Sequence, residues 1–380
     1  MINNIIIENP KRESLSYVSN KPDVCPDGAF APAIDIWTRL REEKRPVVLY
    51  GTGNGADRII DILERENVKI SGIFSSAAFV RERYSRRYRV SDYETCKKEF
   101  PDMLVLMCFG SARTDVLENV KKISLENEIL APDVPVYGDN IFDCSFYNEN
   151  KDKLTAVRKR LSDEKSLDTF CKLVNFKLTG NIDKLFSCEY DNTGIFNISH
   201  KSVYLDLGVY NGDTAIEFSE KYPYDRIIAV EPDKRNFRKL TENTSSVNNI
   251  TLYNALISDK DERVFLDNNK GRGAHENEKG KIPVDALTID TIINKEKLPS
   301  DRQLVIKFDV EGNELKAIEG GKNTIKEMHP LMLISCYHRS EDYFAIPLKV
   351  FSINNNYKLY MRHYKGIPAW ETEFIFVPEE

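Results

Sequence analysis

Short apolar runs alternate with an amphipathic stretch in the first third of this chain. The runs Val47–Tyr50, Ile70–Phe74 and Leu104–Met107 have the length and apolar continuity of buried parallel strands. Between the first two, Asp57–Glu66 has apolar positions spaced as in an amphipathic helix. The first strand leads toward this helix through a glycine-rich turn, Gly51–Gly55. The alternation of strands and helix predicts a small Rossmann-like α/β domain.

A helical pattern replaces this alternation over residues 141–186, where apolar residues recur at helical spacing. The pattern predicts two helices that pack between domains. From Lys201 the alternation resumes and predicts a second α/β domain, whose last two strands close the sheet as an antiparallel pair. Its predicted strands are Val203–Leu207, Ile227–Val230, Ile250–Leu256, Leu304–Phe308, Leu331–Cys336, Tyr357–Tyr364 and Glu373–Val377, with a hairpin of Arg263–Leu266 and Ile282–Val284 around the loop Asn268–Lys281.

These elements divide the chain into four regions. Residues 1–32, interrupted by Pro22, Pro26 and Pro32, are predicted to form a lead-in. Residues 33–140 form a Rossmann-like α/β domain, 141–200 a helical connector, and 201–380 the second α/β domain. The predicted fold class is therefore α/β with two Rossmann-like domains, the second with a mixed sheet and an antiparallel last strand.

Composition limits the functional class. The chain has 380 residues, 41% hydrophobic and 30% charged, as expected for a globular protein with more than one core. Its formal charge of −6 gives no broad basic surface for nucleic acid, and no apolar run approaches the ~20 residues of a membrane span. Seven scattered cysteines, without a Cys-x-x-Cys pair, indicate neither a disulfide framework nor a structural zinc site. We therefore expect a cytoplasmic protein with no nucleic-acid partner, and the sequence leaves a homodimer open.

Acidic residues flank a second glycine turn, which follows the first predicted strand of the second α/β domain. The turn runs from Asp206 to Asp213, and Gly208 and Gly212 permit a sharp bend and the close approach of a ligand. Carboxylates here would repel a pyrophosphate but attract the ammonium and sulfonium groups of S-adenosylmethionine. Glu231, at the end of the next strand, can hold two ribose hydroxyls. Asp213 has a second interpretation, as a capping residue of the following helix.

This pattern resembles the cofactor site of S-adenosylmethionine-dependent methyltransferases, and specifically that of the FkbM family. The resemblance covers the second α/β domain and rests on the segments LDLGVYNGDT, AVEPD, VDALTIDTI, IKFDVEGNELKAIEGG and ISCYHRSEDYFAIP, in that order. It implies a class I methyltransferase fold, S-adenosyl-L-methionine as cofactor, and methyl transfer to a hydroxyl of a small-molecule or glycan acceptor such as a sugar or glycosylated natural product. The cofactor-binding residues that it implies are Asp206, Gly208, Tyr210, Gly212, Asp213, Glu231, Pro232 and Asp309.

A hydroxyl acceptor benefits from a base, which should follow the fourth or fifth strand of this domain. We favour His338 because its ordinary pKa suits neutral pH, with Asp309 as the second candidate; His338 could instead order its loop. Asp309, Glu311 and His338 also offer ligands acceptable to Mg²⁺ or Mn²⁺, but their spacing is not a diagnostic signature and we assign no metal ligand. His363 is expected near the pocket mouth in a structural role. Surface positions are expected for His200, His275 and His329.

Two other functions stay open. The turn Gly51–Gly55 would suit a nicotinamide-dependent oxidoreductase, but the strand after it ends in Phe74-Ser75-Ser76, without an acid for a ribose. Four arginines that follow, Arg81, Arg83, Arg86 and Arg87, could accept a phosphate or form a solvated face. The third hypothesis is a non-catalytic scaffold that binds S-adenosylmethionine. The intact set Asp206, Gly208, Glu231 and Asp309 argues against a decayed site.

Overall fold

A computed structural model of the protein describes residues 34–75, 84–188, 192–266, 282–299 and 301–379. The predicted lead-in 1–32 and the loop Asn268–Lys281 lie outside these residues. In the described part of the chain, two open parallel-type sheets are joined by helices, and a small third sheet stands apart from them. The predicted α/β fold class with a mixed second sheet is therefore confirmed.

The first sheet is the Rossmann-like sheet of the N-terminal region. Its strand order is β3-β4-β2-β1-β5-β6, and β1 lies at the centre, paired in parallel with β2 and β5. All three predicted strands have the predicted bounds: β1 and β5 are continuous apolar runs buried along their whole length, and β2 is buried at its apolar ends. The elements are α1 Ile36–Glu42, β1 Val47–Tyr50, α2 Asn54–Arg65, β2 Ile70–Phe74, β3 Tyr84–Ser85, β4 Tyr88–Ser91, α3 Tyr93–Glu99, β5 Leu104–Met107, α4 Thr114–Ser124 and β6 Ile129–Leu130.

Three helices, rather than the predicted two, connect the sheets: α5 Cys144–Arg158, α6 Glu164–Thr179 and α7 Ile182–Phe186. Gly180 adopts a left-handed conformation, with φ +67°, and ends α6. The side chain of Asn181 then accepts a hydrogen bond from the Asp183 backbone N–H and starts α7. A local glycine and an adjacent capping residue thus divide what apolar spacing alone predicts as one helix.

The C-terminal sheet has the order β15-β16-β14-β13-β7-β8-β9. Strands β7, β8, β9, β13 and β14 are parallel, while β16 is antiparallel to both β14 and β15, as predicted for the closing pair. The elements are β7 Ser202–Leu207, α8 Asp213–Lys221, β8 Arg226–Val230, α9 Lys234–Asn243, β9 Ile250–Tyr253, β10 Ala255–Ile257, β11 Glu262–Leu266, β12 Ile282–Leu287, α10 Ile289–Glu296, β13 Gln303–Phe308, α11 Glu314–Gly320, α12 Lys322–Met328, β14 Leu331–Ser335, α13 Asp342–Ile353, β15 Tyr357–His363 and β16 Thr372–Pro378.

The predicted strand Ile250–Leu256 is wrong as a single element, because Asn254 divides it into β9 and β10. The Asn254 side-chain amide donates to the backbone carbonyls of Glu231 (2.8 Å) and Pro232 (3.1 Å), so the chain leaves the large sheet here. Strand β10 instead joins a small sheet of order β10-β12-β11, in which the predicted hairpin of β11 and β12 is confirmed.

One continuous apolar core links the two large sheets through the connecting helices. Helix α6 packs against β15 and α5 against α13. At the centre, the buried Lys177 of α6 lies 2.8 Å from Asp133, which follows β6, and 4.7 Å from the ring of Tyr343 in α13. The domain boundaries drawn from the sequence stay a prediction, since this core crosses them.

The cysteines only partly follow the expectation. Free thiols are found at Cys96, Cys108, Cys144, Cys188 and Cys336, whereas Cys171 is disulfide-bonded, which cysteine spacing did not predict. None of the helices in the described ranges combines the length and the apolar character that crossing a membrane requires. The cytoplasmic setting stays a prediction.

Candidate active site

The centre of the C-terminal sheet places two acids side by side. From β7 the chain adds strands β8 and β9 on one side of the sheet and then β13 and β14 on the other side. The strand order therefore reverses between β7 and β13, and open α/β sheets bind ligands at such a reversal. Asp206 lies near the carboxyl end of β7 and Asp309 follows β13 directly. Lys307 lies between them, with its Nζ 3.2 Å from an Asp309 oxygen and 3.8 Å from an Asp206 oxygen. Two carboxylates against one ammonium leave a charge of about −1, which still favours a cationic ligand.

Asp206 is fully buried, and its Oδ2 accepts a hydrogen bond from the hydroxyl of Thr214 at 2.6 Å. Burial raises the pKa of Asp206, while the charge of Lys307 and the Thr214 hydroxyl act in the opposite direction. Burial works to lower the pKa of Lys307, but the nearby carboxylates outweigh it and the pKa is raised. Lys307 therefore stays charged, and this cation is a feature that the sequence analysis missed.

Glycine is required at the turn after β7 by the backbone itself. Gly208 has φ +83°, and a Cβ there would lie 2.8 Å from the carbonyl carbon of Asp309 and closer still to its oxygen. Gly212 has φ +95°, and a Cβ would lie 2.8 Å from the Thr244 methyl group. The two glycines thus let the turn pass directly over the end of β13. Tyr210, between them, has a positive φ of 53° without being glycine.

Glu231 holds this turn from the neighbouring strand. One carboxylate oxygen accepts from the Tyr210 backbone N–H (3.0 Å) and the other from the Asp233 backbone N–H (2.9 Å). Burial raises the pKa of Glu231 to about 7, although these hydrogen bonds lower it. Each oxygen keeps acceptor capacity for a ligand hydroxyl. Pro232 follows at a half-buried position beside the side-chain amide of Asn254.

Asp213 is the first residue of α8 and is exposed. Its carboxylate accepts from the Thr214 backbone N–H at 2.8 Å. This geometry fits the helix-terminus interpretation, because an acid there stabilises the positive end of the helix dipole. Its role toward a cofactor stays a prediction.

The structure argues against His338 as the base. Its side chain has no exposed area, and its Nδ1 lies 2.9 Å from Glu314 Oε1. Its Nε2 lies 3.4 Å from Glu311 and 3.6 Å from Asp309. Burial alone would lower the pKa of His338, but these carboxylates raise it well above the ordinary value. A buried imidazole that holds its proton cannot take another, so the favoured assignment is corrected.

Asp309 is better placed for contact with an acceptor. Its side chain is 26% exposed, and its Oδ1 accepts a hydrogen bond from the Tyr337 hydroxyl at 3.1 Å. Burial works to raise the pKa of Asp309, but Lys307, His338 and Tyr337 together lower it. Asp309 is thus a carboxylate at neutral pH. Because Lys307 already supplies its cation, the set Asp309, Glu311 and His338 does not fit a Mg²⁺ or Mn²⁺ site.

Glu373 is a further acid that sequence reasoning missed. It opposes Ser335 of β14 at the edge of the sheet where Asp309 lies, and its charge interacts with Lys307 and Asp309. Its carboxylate accepts from the Tyr364 hydroxyl at 2.9 Å. Burial raises the pKa of Glu373 to about 7. The alternation of side chains along β-strands predicts which residues share a face, but not which strands become neighbours.

The remaining histidines lie away from this chemistry. His363 is buried, and its Nδ1 lies 2.9 Å from the Thr372 hydroxyl, in the structural role expected of it. Burial lowers the pKa of His363 to about 4, so it is neutral. His200 and His329 are exposed, as predicted, and His275 lies outside the described residues.

The N-terminal glycine turn is partly filled by protein. Gly51 has φ +115°, and a Cβ there would lie 2.6 Å from the ring of Phe109. The following strand, β2, leads to Ser75 rather than an acid. Arg86 pairs with Asp57 and Asp61 of α2. Arg87 likewise pairs with Glu64, while Arg81 and Arg83 lie outside the described residues. Nothing in this geometry singles out a nucleotide, and that hypothesis stays untested.

The N-terminal region meets the loops of the candidate active site. The Tyr137 backbone N–H donates to the His338 carbonyl at 2.9 Å, and its ring packs on Gly312. Ser111 exchanges two backbone hydrogen bonds with Ile367 in the β15–β16 connection. The carboxyl-edge loops of the first sheet therefore adjoin those of the second.

The C-terminal sheet has the layout of a Rossmann-like methyltransferase fold. It has seven strands with an antiparallel strand near its edge, a glycine turn after its first strand, and acids at the carboxyl ends of its first, second and fourth strands. Residues 206–359 match the family described as the Methyltransferase FkbM domain. Over these residues, which make up less than half of the chain, the protein is similar to the FkbM methyltransferase domain.

One solved structure shares the fold over most of the chain. The methyltransferase FkbM from Methylobacillus flagellatus KT has a TM-score of 0.68 at 19% identity, and the match covers 90% of this chain and 94% of that one. Such coverage includes residues of both large sheets, so the likeness in fold extends to both. Fibrillarin from Aeropyrum pernix, with natively bound S-adenosyl-L-methionine, has a TM-score of 0.31 at 15% identity over 48% of this chain and 68% of that one. The precorrin-6y C5,15-methyltransferase from Geobacter metallireducens GS-15 has a TM-score of 0.29 at 13% identity, over 46% and 78%. No curated protein matches the chain.

Proposed function

We propose that this methyltransferase transfers the methyl group of S-adenosylmethionine to a hydroxyl oxygen of a sugar, glycan or glycosylated small molecule. The observation that carries the proposal is the pairing of carboxylates with phenols where the two sheets adjoin. Asp309 pairs with Tyr337, and Glu373 with Tyr364. A sugar hydroxyl both donates and accepts hydrogen bonds, and these groups supply both functions.

In the proposed step, the acceptor oxygen attacks the methyl carbon in line with the carbon–sulfur bond. That bond breaks, its electron pair stays on sulfur, and S-adenosylhomocysteine leaves. The proton of the hydroxyl passes to the Asp309 carboxylate, which is ionised at neutral pH. Positioning of the two reactants supplies much of the acceleration. Glu231 binds the ribose hydroxyls of the cofactor, and the acids beside Lys307 attract its positive groups.

The N-terminal region contributes one wall of the acceptor site in this proposal. Tyr137 supports the loop that carries Gly312, and Ser111 fixes the connection that carries Ile367. Both contacts lie beside the loops that follow β13 and β15. An acceptor larger than one sugar would extend from Asp309 toward these residues.

The test begins with calorimetric titration by S-adenosylmethionine and S-adenosylhomocysteine. Saturable binding that is lost in Glu231→Ala, with the fold retained by circular dichroism, supports the cofactor site. A panel of glycosides, nucleotide sugars and oligosaccharides is then incubated with methyl-labelled S-adenosylmethionine, and the product is analysed by NMR. A new methyl ether is the expected product.

Asp309→Asn should lower kcat by roughly 10²–10⁴-fold, because the positioned proton acceptor is lost. Glu327→Gln is the control, since Glu327 is an exposed acid of α12. A methyl group found on nitrogen or carbon would contradict the proposal. NAD(P)H fluorescence, run in parallel, tests the oxidoreductase hypothesis, and enhancement that depends on Gly53 would revive it.

A further inference from the structure

Behind the candidate active site, three buried side chains from three elements converge. Glu314 opens α11, His338 follows β14, and Asp342 opens α13. The three residues are 1%, 0% and 1% exposed, respectively. One nitrogen or oxygen from each lies within 4.8 Å of those of the other two. Glu314 is remote in sequence from His338 and Asp342, and the packing of α11 against α13 brings the three together.

The cluster contains polar atoms that the protein does not satisfy. Glu314 Oε2 and Asp342 Oδ1 are buried without a hydrogen-bond partner, and the ring nitrogens of His338 meet carboxylate oxygens only in ion-pair contacts. Each orphaned buried polar atom costs about 1–3 kcal/mol, and native proteins contain few of them. Two such oxygens beside one buried imidazole suit a ligand that satisfies them together.

Backbone groups hold the opposite oxygen of each carboxylate. Glu314 Oε1 accepts from the N–H groups of Val310 (3.2 Å) and Gly312 (3.4 Å). Asp342 Oδ2 accepts from the Arg339 N–H at 2.7 Å. These hydrogen bonds fix the orientation of each carboxylate and leave its other oxygen free. Hydrogen bonds to the ligands of a metal ion orient those ligands in the same way.

The surroundings of His338 have the same character. Its Nδ1 lies 2.9 Å from Glu314 Oε1, but the two do not form a well-directed hydrogen bond. On the other side of the ring, Nε2 faces Glu311 at 3.4 Å. A metal-bound imidazole normally presents its second nitrogen to a carboxylate in this way.

We propose that Glu314, His338 and Asp342 form a closed binding site for one divalent transition-metal ion. One imidazole and two carboxylates suit Zn²⁺ or Mn²⁺ better than Ca²⁺, which takes six to eight oxygen ligands. The ion joins the start of α11, the loop after β14 and the start of α13. Its place differs from the Asp309, Glu311 and His338 set, and its role is to fix the loops that carry Asp309 and Tyr337.

The alternative to the metal site is a cluster held together by its own ion pairs and hydrogen bonds alone, and metal binding distinguishes the two directly.

The test uses the full chain, purified without chelators for elemental analysis and then stripped by chelation and dialysis. Titration with Zn²⁺, Mn²⁺ and Co²⁺ follows, with the visible absorption of Co²⁺ and the thermal unfolding midpoint as readouts. We expect one ion per chain, a Co²⁺ spectrum with nitrogen and oxygen ligands, and a higher Tm.

Asp342→Asn and Glu314→Gln keep the shape of each side chain and remove its charge, and we expect at least a ~10-fold loss of metal affinity in each. Glu341→Gln, the adjacent acid outside the cluster, should bind metal as the unaltered protein does. Folded protein that binds none of the three ions saturably would overturn the proposal. So would equal affinity in Asp342→Asn and Glu341→Gln. If the cluster variants fail to fold, the titration of the unaltered protein decides.

Discussion

Replacement of Gly208 by alanine should destabilise the protein and weaken cofactor binding through two separable effects. The first is backbone strain, because Gly208 has φ +83°, where an L-residue costs about 1–2 kcal/mol. The second is the collision of the new Cβ with the Asp309 carbonyl group, whose carbon would lie 2.8 Å away. Overpacking against atoms that cannot rotate away costs about 1–3 kcal/mol. We therefore expect Gly208→Ala to lower the free energy of unfolding by about 2–5 kcal/mol.

A second glycine provides the matched control. Gly194 has a nearly equal φ of +77°, but a Cβ there meets no atom within 4 Å. Gly194→Ala should therefore show only the strain, about 1–2 kcal/mol. The difference between the two variants, about 1–3 kcal/mol, measures the close approach of the turn to β13.

Urea unfolding followed by circular dichroism gives the stabilities, and calorimetry gives the affinity for S-adenosylhomocysteine. We expect the affinity for S-adenosylhomocysteine to fall at least ~10-fold in Gly208→Ala, because a loss of only ~1.4 kcal/mol of binding free energy, caused by displacement of the turn, produces a tenfold change. The affinity should stay unchanged in Gly194→Ala. Equal destabilisation by the two substitutions would refute the inferred contact between the turn and Asp309. Cofactor affinity unchanged in Gly208→Ala would refute the placement of the cofactor at this turn.

Three further outcomes follow from buried charges. Lys177→Met should destabilise by about 3–5 kcal/mol in thermal or urea unfolding, because it leaves Asp133 buried without its partner. Burial lowers the pKa of His363 to about 4, so the neutral imidazole contributes to stability above its ordinary pKa of 6.5, and this contribution is lost as pH falls toward 4. His363→Gln should therefore reduce the loss of stability between pH 6.5 and pH 4. Glu373 has a pKa raised to about 7, so its contribution is present below the ordinary 4.5 and declines as pH rises through 7; Glu373→Gln should flatten that limb of the stability curve.

Each of these has a clear contrary result. The double substitution Lys177→Met with Asp133→Leu should recover stability, and no recovery would show that the pair itself is not responsible. Unchanged acid unfolding in His363→Gln would indicate that other groups take up the protons. A neutral-pH limb that persists in Glu373→Gln would assign it to another buried carboxyl group, of which Glu231 is the first to test.

The glycine turn and the acids that we predict to hold the cofactor could be identified from the sequence because their determinants are local. Gly208, Glu231 and the strands that carry them lie within one short segment, in which apolar runs define strands and glycine marks the turn. The bounds of β1 and β5 were predicted for the same reason, since a buried parallel strand is a continuous apolar run.

Only the tertiary structure determined the properties that depend on neighbours remote in sequence. His338 carries the same imidazole in either role, but its burial among Glu311, Glu314 and Asp309 fixes its proton and removes it as a base. Glu373 lies at the candidate site only because β16 pairs with β14, which places it opposite Ser335. The free energy of a charged group depends on burial and on the charges around it, and residue identity specifies neither. The sequence thus determined the fold class and the glycine turn after β7, while packing determined the burial and the charge environment of the acids beside that turn.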